Sequence, residues 1–162
     1  MDEEEGYSPP SAFLCSIVAE EVAFGADPYG RANLALLLAL TRDADQANRD
    51  WATMLLVHTG QDDEAIRAAL RERLDDPFED ARLEALIGVA QREPEVALPI
   101  VAALLGEDMV FTGVLEAAAY VADARLLPVL RDFPARWRSD PFWVAAVTAC
   151  ESGTPPDWRS ER

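Results

Sequence analysis

One histidine, His58, two cysteines, Cys15 and Cys150, and thirty Asp and Glu side chains are the groups in this 162-residue chain best equipped for chemistry. A lone histidine builds a zinc site only with cysteines or carboxylates beside it, and neither cysteine is near His58 in sequence. No Ser-His-Asp or Cys-His motif and no glycine-rich phosphate loop is present. His58 stands before Thr59-Gly60, where an imidazole reads as a partner for the carbonyl end of a helix. The runs Asp62-Asp63-Glu64 and Asp75-Asp76…Glu79-Asp80 lack the glycine-punctuated loop of an EF-hand. They read instead as negative charge at helix N-termini. Both cysteines lie in apolar helical segments near opposite ends of the chain, so buried free thiols are expected rather than a disulfide. The expectation is a protein with no catalytic residues, no metal and no cofactor.

The net charge is −16. Such a field repels phosphate backbones, which argues against nucleic acid as a partner. It draws a basic protein inward and speeds encounter; the plain alternative is solubility alone. All fourteen basic residues are arginine, and asparagine occurs only at Asn33 and Asn48. That bias fits a GC-rich bacterial coding sequence. No apolar run reaches the length of a membrane span. The opening Met1-Asp-Glu-Glu-Glu-Gly is acidic where a secretory signal is basic, so a cytoplasmic protein without a membrane partner is expected.

The elements that would position a site are helical. Residues 1–10 read as a disordered acidic arm, 11–150 as one helical domain and 151–162 as a tail, in which Trp158 is expected to dock on its own domain. Helical spacing begins at Ser11, pauses at a turn over 25–30 and resumes in a very apolar helix over 34–40. Further helices are expected over 45–58, closed by Gly60, then 62–74, 76–91, 95–105, 110–121, 124–133 and 141–150. No segment alternates like a strand. An alanine returns every 33 residues at Ala19, Ala52, Ala85 and Ala118, and Met54, Ile87 and Tyr120 share another such column. A period of this size signals stacked repeats.

Helix starts repeat as well. Asp76-Pro77-Phe78 returns as Asp140-Pro141-Phe142. Asp reads as the cap, Pro fits the first turn, and Glu79 completes a capping box after Asp76. Asp43 is followed by Arg49 and Ala52 at the spacings that separate Asp76 from Arg82 and Ala85. With Leu98-Pro99 and Leu127-Pro128 near the starts of other helices, residues 43–150 resemble the HEAT-repeat superfamily in its short bacterial form. Two features depart from the pattern. Leu115 stands where Arg49 and Arg82 stand, and Gly88 sits inside a helix, where close helix contact is expected. The resemblance implies an all-α fold, a right-handed α-solenoid of HEAT-like antiparallel helix pairs, with the stretch before Asp43 as a terminal cap.

The same resemblance implies that the second helix of each pair lines a concave face. Residues one period apart then lie side by side: Asp50, Leu83 and Glu116; Trp51 and Glu84; Met54, Ile87 and Tyr120; His58 and Gln91. Aromatic and apolar anchors ringed by carboxylates suit a protein-binding patch. The candidate partner-binding residues are Asp50, Trp51, Met54, His58, Glu84, Ile87, Gln91, Glu116 and Tyr120. The plain alternatives are half-buried core for Met54, Ile87 and Tyr120, and a solvated helix face for Glu84 and Glu116. The function expected is a non-catalytic binding module for a basic protein, in its most specific form an acidic immunity protein that neutralises a bacterial toxin or enzyme. The alternatives are a HEAT-like DNA glycosylase, which Asp50, Trp51 and Trp143 would imitate, and a chromophore lyase or chaperone.

Overall fold

Capping chemistry sets where most helices begin. The computed structural model describes residues 8–157, so most of the acidic arm and Trp158 lie outside the described residues. Within them the chain is all-helical, with nine α-helices, two 3₁₀ turns and no strand. Ser11 caps α1 (Ala12–Val18) by accepting the Leu14 N–H at 3.2 Å. Asp27 caps α2 (Pro28–Leu40) through the amides of Tyr29 and Gly30. That helix starts six residues before the expected 34, because Asp27-Pro28 is itself a cap followed by a first-turn proline. Gly30 is required there, since a Cβ would collide with the Gly25 backbone.

Asp45 caps α3 (Gln46–His58), and Gly60, at φ +65°, ends it as expected. Asp63 caps α4 (Glu64–Arg73). The helix α5 (Glu79–Arg92) follows, then α6 (Pro94–Leu105) and α7 (Thr112–Val121). A non-glycine residue, Ala122, closes α7 at φ +49°. The expected helix over 124–133 is divided into a 3₁₀ turn, Ala124–Leu126, and the short α8 (Leu127–Arg131). A second 3₁₀ turn, Ala135–Ser139, leads to α9 (Pro141–Ser152), capped by Asp140.

One capping expectation fails. Helix α5 begins at Glu79 with Phe78 before it and no side-chain cap. Asp76 still accepts the Phe78 N–H at 2.9 Å, yet its carboxylate is buried and held by Arg49 and Arg73. Glu79 closes no capping box; it faces Arg82 at 3.6 Å.

Helices α3, α5, α7 and α9 form a row in which each packs on the next, while α2, α4, α6 and α8 each pack beside the helix that follows. The alanine column explains the close approach. Ala52, Ala85 and Ala118 are fully buried in the row, so no side chain holds the helices apart. Ala19 is exposed at the end of α1 and lies outside that packing. Gly88 meets its expectation: a Cβ there would lie 2.7 Å from Val57 Cγ2 and 2.9 Å from Leu70 Cδ1. Leu37, Leu56, Ile66, Leu70, Leu86, Val101, Leu126 and Leu130 fill the space between the two layers. Each such side chain contributes about 1.5–3 kcal/mol by leaving water.

Both cysteines are free thiols. Only Cys150 is buried; Cys15 is exposed, because the short α1 turns that edge outward. Among the described residues no helix is long and apolar enough to cross a membrane.

Candidate functional site

Three helices of the row carry side chains at spacings of three and four toward one hollow of about 450 Å³. Helix α3 supplies Asp50, Trp51 and Met54; α5 supplies Asp80, Leu83, Glu84 and Ile87; α7 supplies Thr112, Gly113 and Glu116. Residues at i, i+3 and i+4 share a helix face, so one face of each helix lines the hollow. The 33-residue register is physical here. Asp50, Leu83 and Glu116 line the same hollow, as do Trp51 with Glu84 and Met54 with Ile87.

Four carboxylates surround this space. Burial pushes the Glu84 carboxyl up to about 7, and the charges of Glu116, Asp50 and Asp80 add to the shift while His58 opposes it. A mostly buried acid with like charges around it is poorly placed to hold a full negative charge. Glu84 is therefore not the solvated helix-face residue that its spacing also allowed. A cation entering the hollow would relieve that repulsion.

The remaining expected residues divide. His58 donates its Nδ1–H to the Met54 carbonyl at 2.8 Å, in the last turn of α3, as a helix-terminal imidazole should. It lines a neighbouring hollow with Trp51 and Met54, facing Ile17, Val18 and Phe24. Trp51 and Met54 thus form the wall between two hollows. Gln91 lines neither hollow; its side-chain oxygen accepts from Arg92 Nη1 at 3.0 Å. Tyr120 is 8% exposed and lies in the core with Ile87, so it stands outside the hollow although it shares the column.

Asp80, Thr112 and Gly113 line the hollow without having been expected there. Asp80 carried a readable signal, since it stands one helical turn before Glu84. Thr112 and Gly113 carried the same kind of signal, since they stand four and three residues before Glu116, and Gly113 is one period after Asp80.

Of the two acidic runs, the one over 62–64 acts as helix-end chemistry. Asp62 binds Arg67 through two bonds of 2.8 and 2.9 Å, Asp63 caps α4, and Glu64 pairs with Arg71. Among the described residues no group of three or more His, Cys, Asp or Glu side chains is placed to hold a metal ion.

No family model matches the chain. It is similar to protein YibA of Escherichia coli strain K12 and to protein YibA of Escherichia coli O157:H7. In both cases 33% of 100 aligned residues are identical, covering 62% of this chain and 36% of the relative. The chain thus spans little more than a third of the curated relatives it matches. The X-ray structure of Escherichia coli YibA superposes with a TM-score of 0.67 at 25% identity, over 86% of this chain and 54% of that one. The two share a helical fold.

Proposed function

We propose that the chain is a short HEAT-like right-handed α-solenoid of antiparallel helix pairs that works as a non-catalytic protein-binding module. Its hollow between α3, α5 and α7 receives basic side chains of a protein partner. The observation that carries this reading is Glu84. Its carboxyl is held in a hollow walled by Trp51, Met54 and Ile87, with His58 on one side of the charge balance and Glu116, Asp50 and Asp80 on the other. An arginine or lysine stem lies well against Trp and Met, and its charged head meets the carboxylates. Hydrogen bonds to charged groups in such a site contribute about 1.5–3 kcal/mol each.

In its most specific form the module is a cytoplasmic acidic inhibitor that neutralises a cationic toxin or enzyme domain, as an immunity protein does. A duplex DNA substrate fits poorly, because its phosphates would face four carboxylates. The test is capture of a partner from bacterial lysate at low and high salt, with the wild type and the Trp51→Ala/Glu84→Arg double variant. The reading expects a basic protein that is captured at low salt, released by high salt and lost by a variant that remains folded. Unchanged capture by the double variant removes the hollow from the interface. Retardation of DNA in a low-salt gel overturns the protein-binding reading.

A further inference from the structure

The junction between α5 and α7 lacks a polar rung that the junction before it has. At the start of α3, Arg49 donates to the carbonyls of Asp43 and Ala44 at 3.0 and 3.1 Å and reaches across to the Asp76 carboxylate at 2.9 Å. One period later, Arg82 donates to the carbonyls of Asp76 and Pro77 at 2.7 and 3.2 Å in the same way. The position that corresponds to Asp76 is now Met109, so the carboxylate across the junction is gone. Arg82 faces Glu79 of its own helix instead.

Where the rung would lie there is a hollow of about 480 Å³, floored by Leu83, Leu86, Leu104 and Val114. Glu107, Asp108, Met109 and Phe111 form its edge, and on the far side of this segment lies a second hollow of about 390 Å³ that reaches Phe133 and Trp137. Glu107, Asp108 and Met109 border both. Met109 is 74% exposed and Phe111 40% exposed. A methionine that replaced Asp for the sake of packing would be covered, as Leu115, the companion departure from the repeat, is. Met109 instead stands in water between the two hollows, the first mainly apolar and the second mixed, with Asp132 and Arg136 beside Phe133 and Trp137 in its lining. There a flexible thioether adapts to an incoming apolar side chain.

We propose that residues 106–111 and their two flanking hollows form a docking surface for an amphipathic basic helix of a protein partner. Its apolar side chains, one or two turns apart, enter the two hollows on either side of Met109. Arginine or lysine beside them faces Glu107 and Asp108. Charge selects this occupant over a second copy of the chain, because two copies of net charge −16 meeting here would set acid against acid. The surface adjoins the Glu84 hollow only through Leu83, which lines both, and does not depend on that hollow's role.

The test uses a fluorescein-labelled helical peptide with leucines at every third and fourth position and flanking arginines, and a twin with glutamates in place of the arginines. Fluorescence anisotropy should report binding of the arginine peptide alone, with a shift of the Met109 methyl resonance in the wild-type protein. Met109→Asp returns the periodic residue and gives Arg82 a carboxylate. It should weaken the peptide at least tenfold with no fall in Tm, while the Trp51→Ala/Glu84→Arg variant binds as the wild type does. The proposal is overturned by equal binding of both peptides, by no binding, or by a Met109 methyl that does not move. Loss of binding only in the Trp51→Ala/Glu84→Arg variant overturns it too, as does a wild-type dimer that Met109→Asp abolishes.

Discussion

Arg49 and Asp76 meet in a two-point ion pair, Nε to Oδ2 at 2.9 Å and Nη2 to Oδ1 at 3.2 Å, that ties the start of α3 to the start of α5. Arg73 completes the site at 2.9 Å. The Asp76 side chain is 0% exposed. Removing one partner from such a site strands the others without solvent, which costs far more than a surface pair is worth.

Asp76→Ala should therefore destabilise the fold by about 3–5 kcal/mol, measured by urea unfolding at neutral pH. Asp76→Asn keeps the shape and tests the charge. Burial alone would raise the Asp76 carboxyl, but the Arg49 hydrogen bonds and the Phe78 amide outweigh it and hold it below the usual 3.8. A depressed carboxyl contributes stability above its unfolded value and loses it as pH falls through the folded one. The penalty of Asp76→Asn should be full at pH 7 and shrink below about 3.8. A penalty independent of pH would mean that shape, not charge, matters there.

Glu84 has the opposite sign. Its carboxyl stands at about 7 in the fold against an ordinary 4.5. The raised value favours the folded state fully below the unfolded value, and that contribution is lost as pH rises through the folded one. Glu84→Gln cannot titrate. It should match the wild type near pH 4 and exceed it by about 2–3 kcal/mol at pH 8, in urea titrations across that range. A flat difference would place the charge of Glu84 in full solvent.

Two glycines should respond oppositely to alanine. At Gly88 the added methyl meets Val57 and Leu70 within 3 Å, so Gly88→Ala should cost about 1–3 kcal/mol through overpacking. At Gly113 the nearest atom is Leu83 Cβ at 3.6 Å, an ordinary contact. Gly113→Ala should gain about 0.5–1 kcal/mol from reduced backbone freedom. Thermal melts of the two variants side by side are the check, and a stabilised Gly88→Ala would contradict the close helix contact.

The two thiols should differ in reactivity. Burial pushes the Cys150 thiol up to about 11, whereas Cys15 is exposed. An aromatic disulfide reagent at pH 8 should label Cys15 promptly and Cys150 only after denaturation. Prompt reaction of both would mean that α9 opens readily from α7.

The residues legible in advance are those whose role is local or periodic. The Asp140 cap, the Gly60 stop and the burial of Ala52, Ala85 and Ala118 follow from rules that act within one turn or one period. The shared lining by Asp50, Trp51, Glu84 and Glu116 follows from the same period. Asp76 and Asp140 mark the boundary of that logic. Both open an Asp-Pro-Phe tripeptide, yet Asp140 caps its helix while Asp76 is taken over by Arg49, 27 residues away in sequence. No local rule registers that competition.

What only the tertiary structure decided depends on which surfaces the packed helices cover and which they leave open. Glu84 and Glu116 look alike along their helices, but Glu84 belongs to the middle of the three helices around the hollow, and burial raises its carboxyl. Met109 and Leu115 both replace polar residues of the repeat, yet one lies in water and the other inside the core. Sequence determines which helices form and in what register they repeat, because hydrogen bonds and apolar spacing are local. Solvent access is a property of the assembled layers, and it decides which carboxyl is raised by burial and which methionine stays in water.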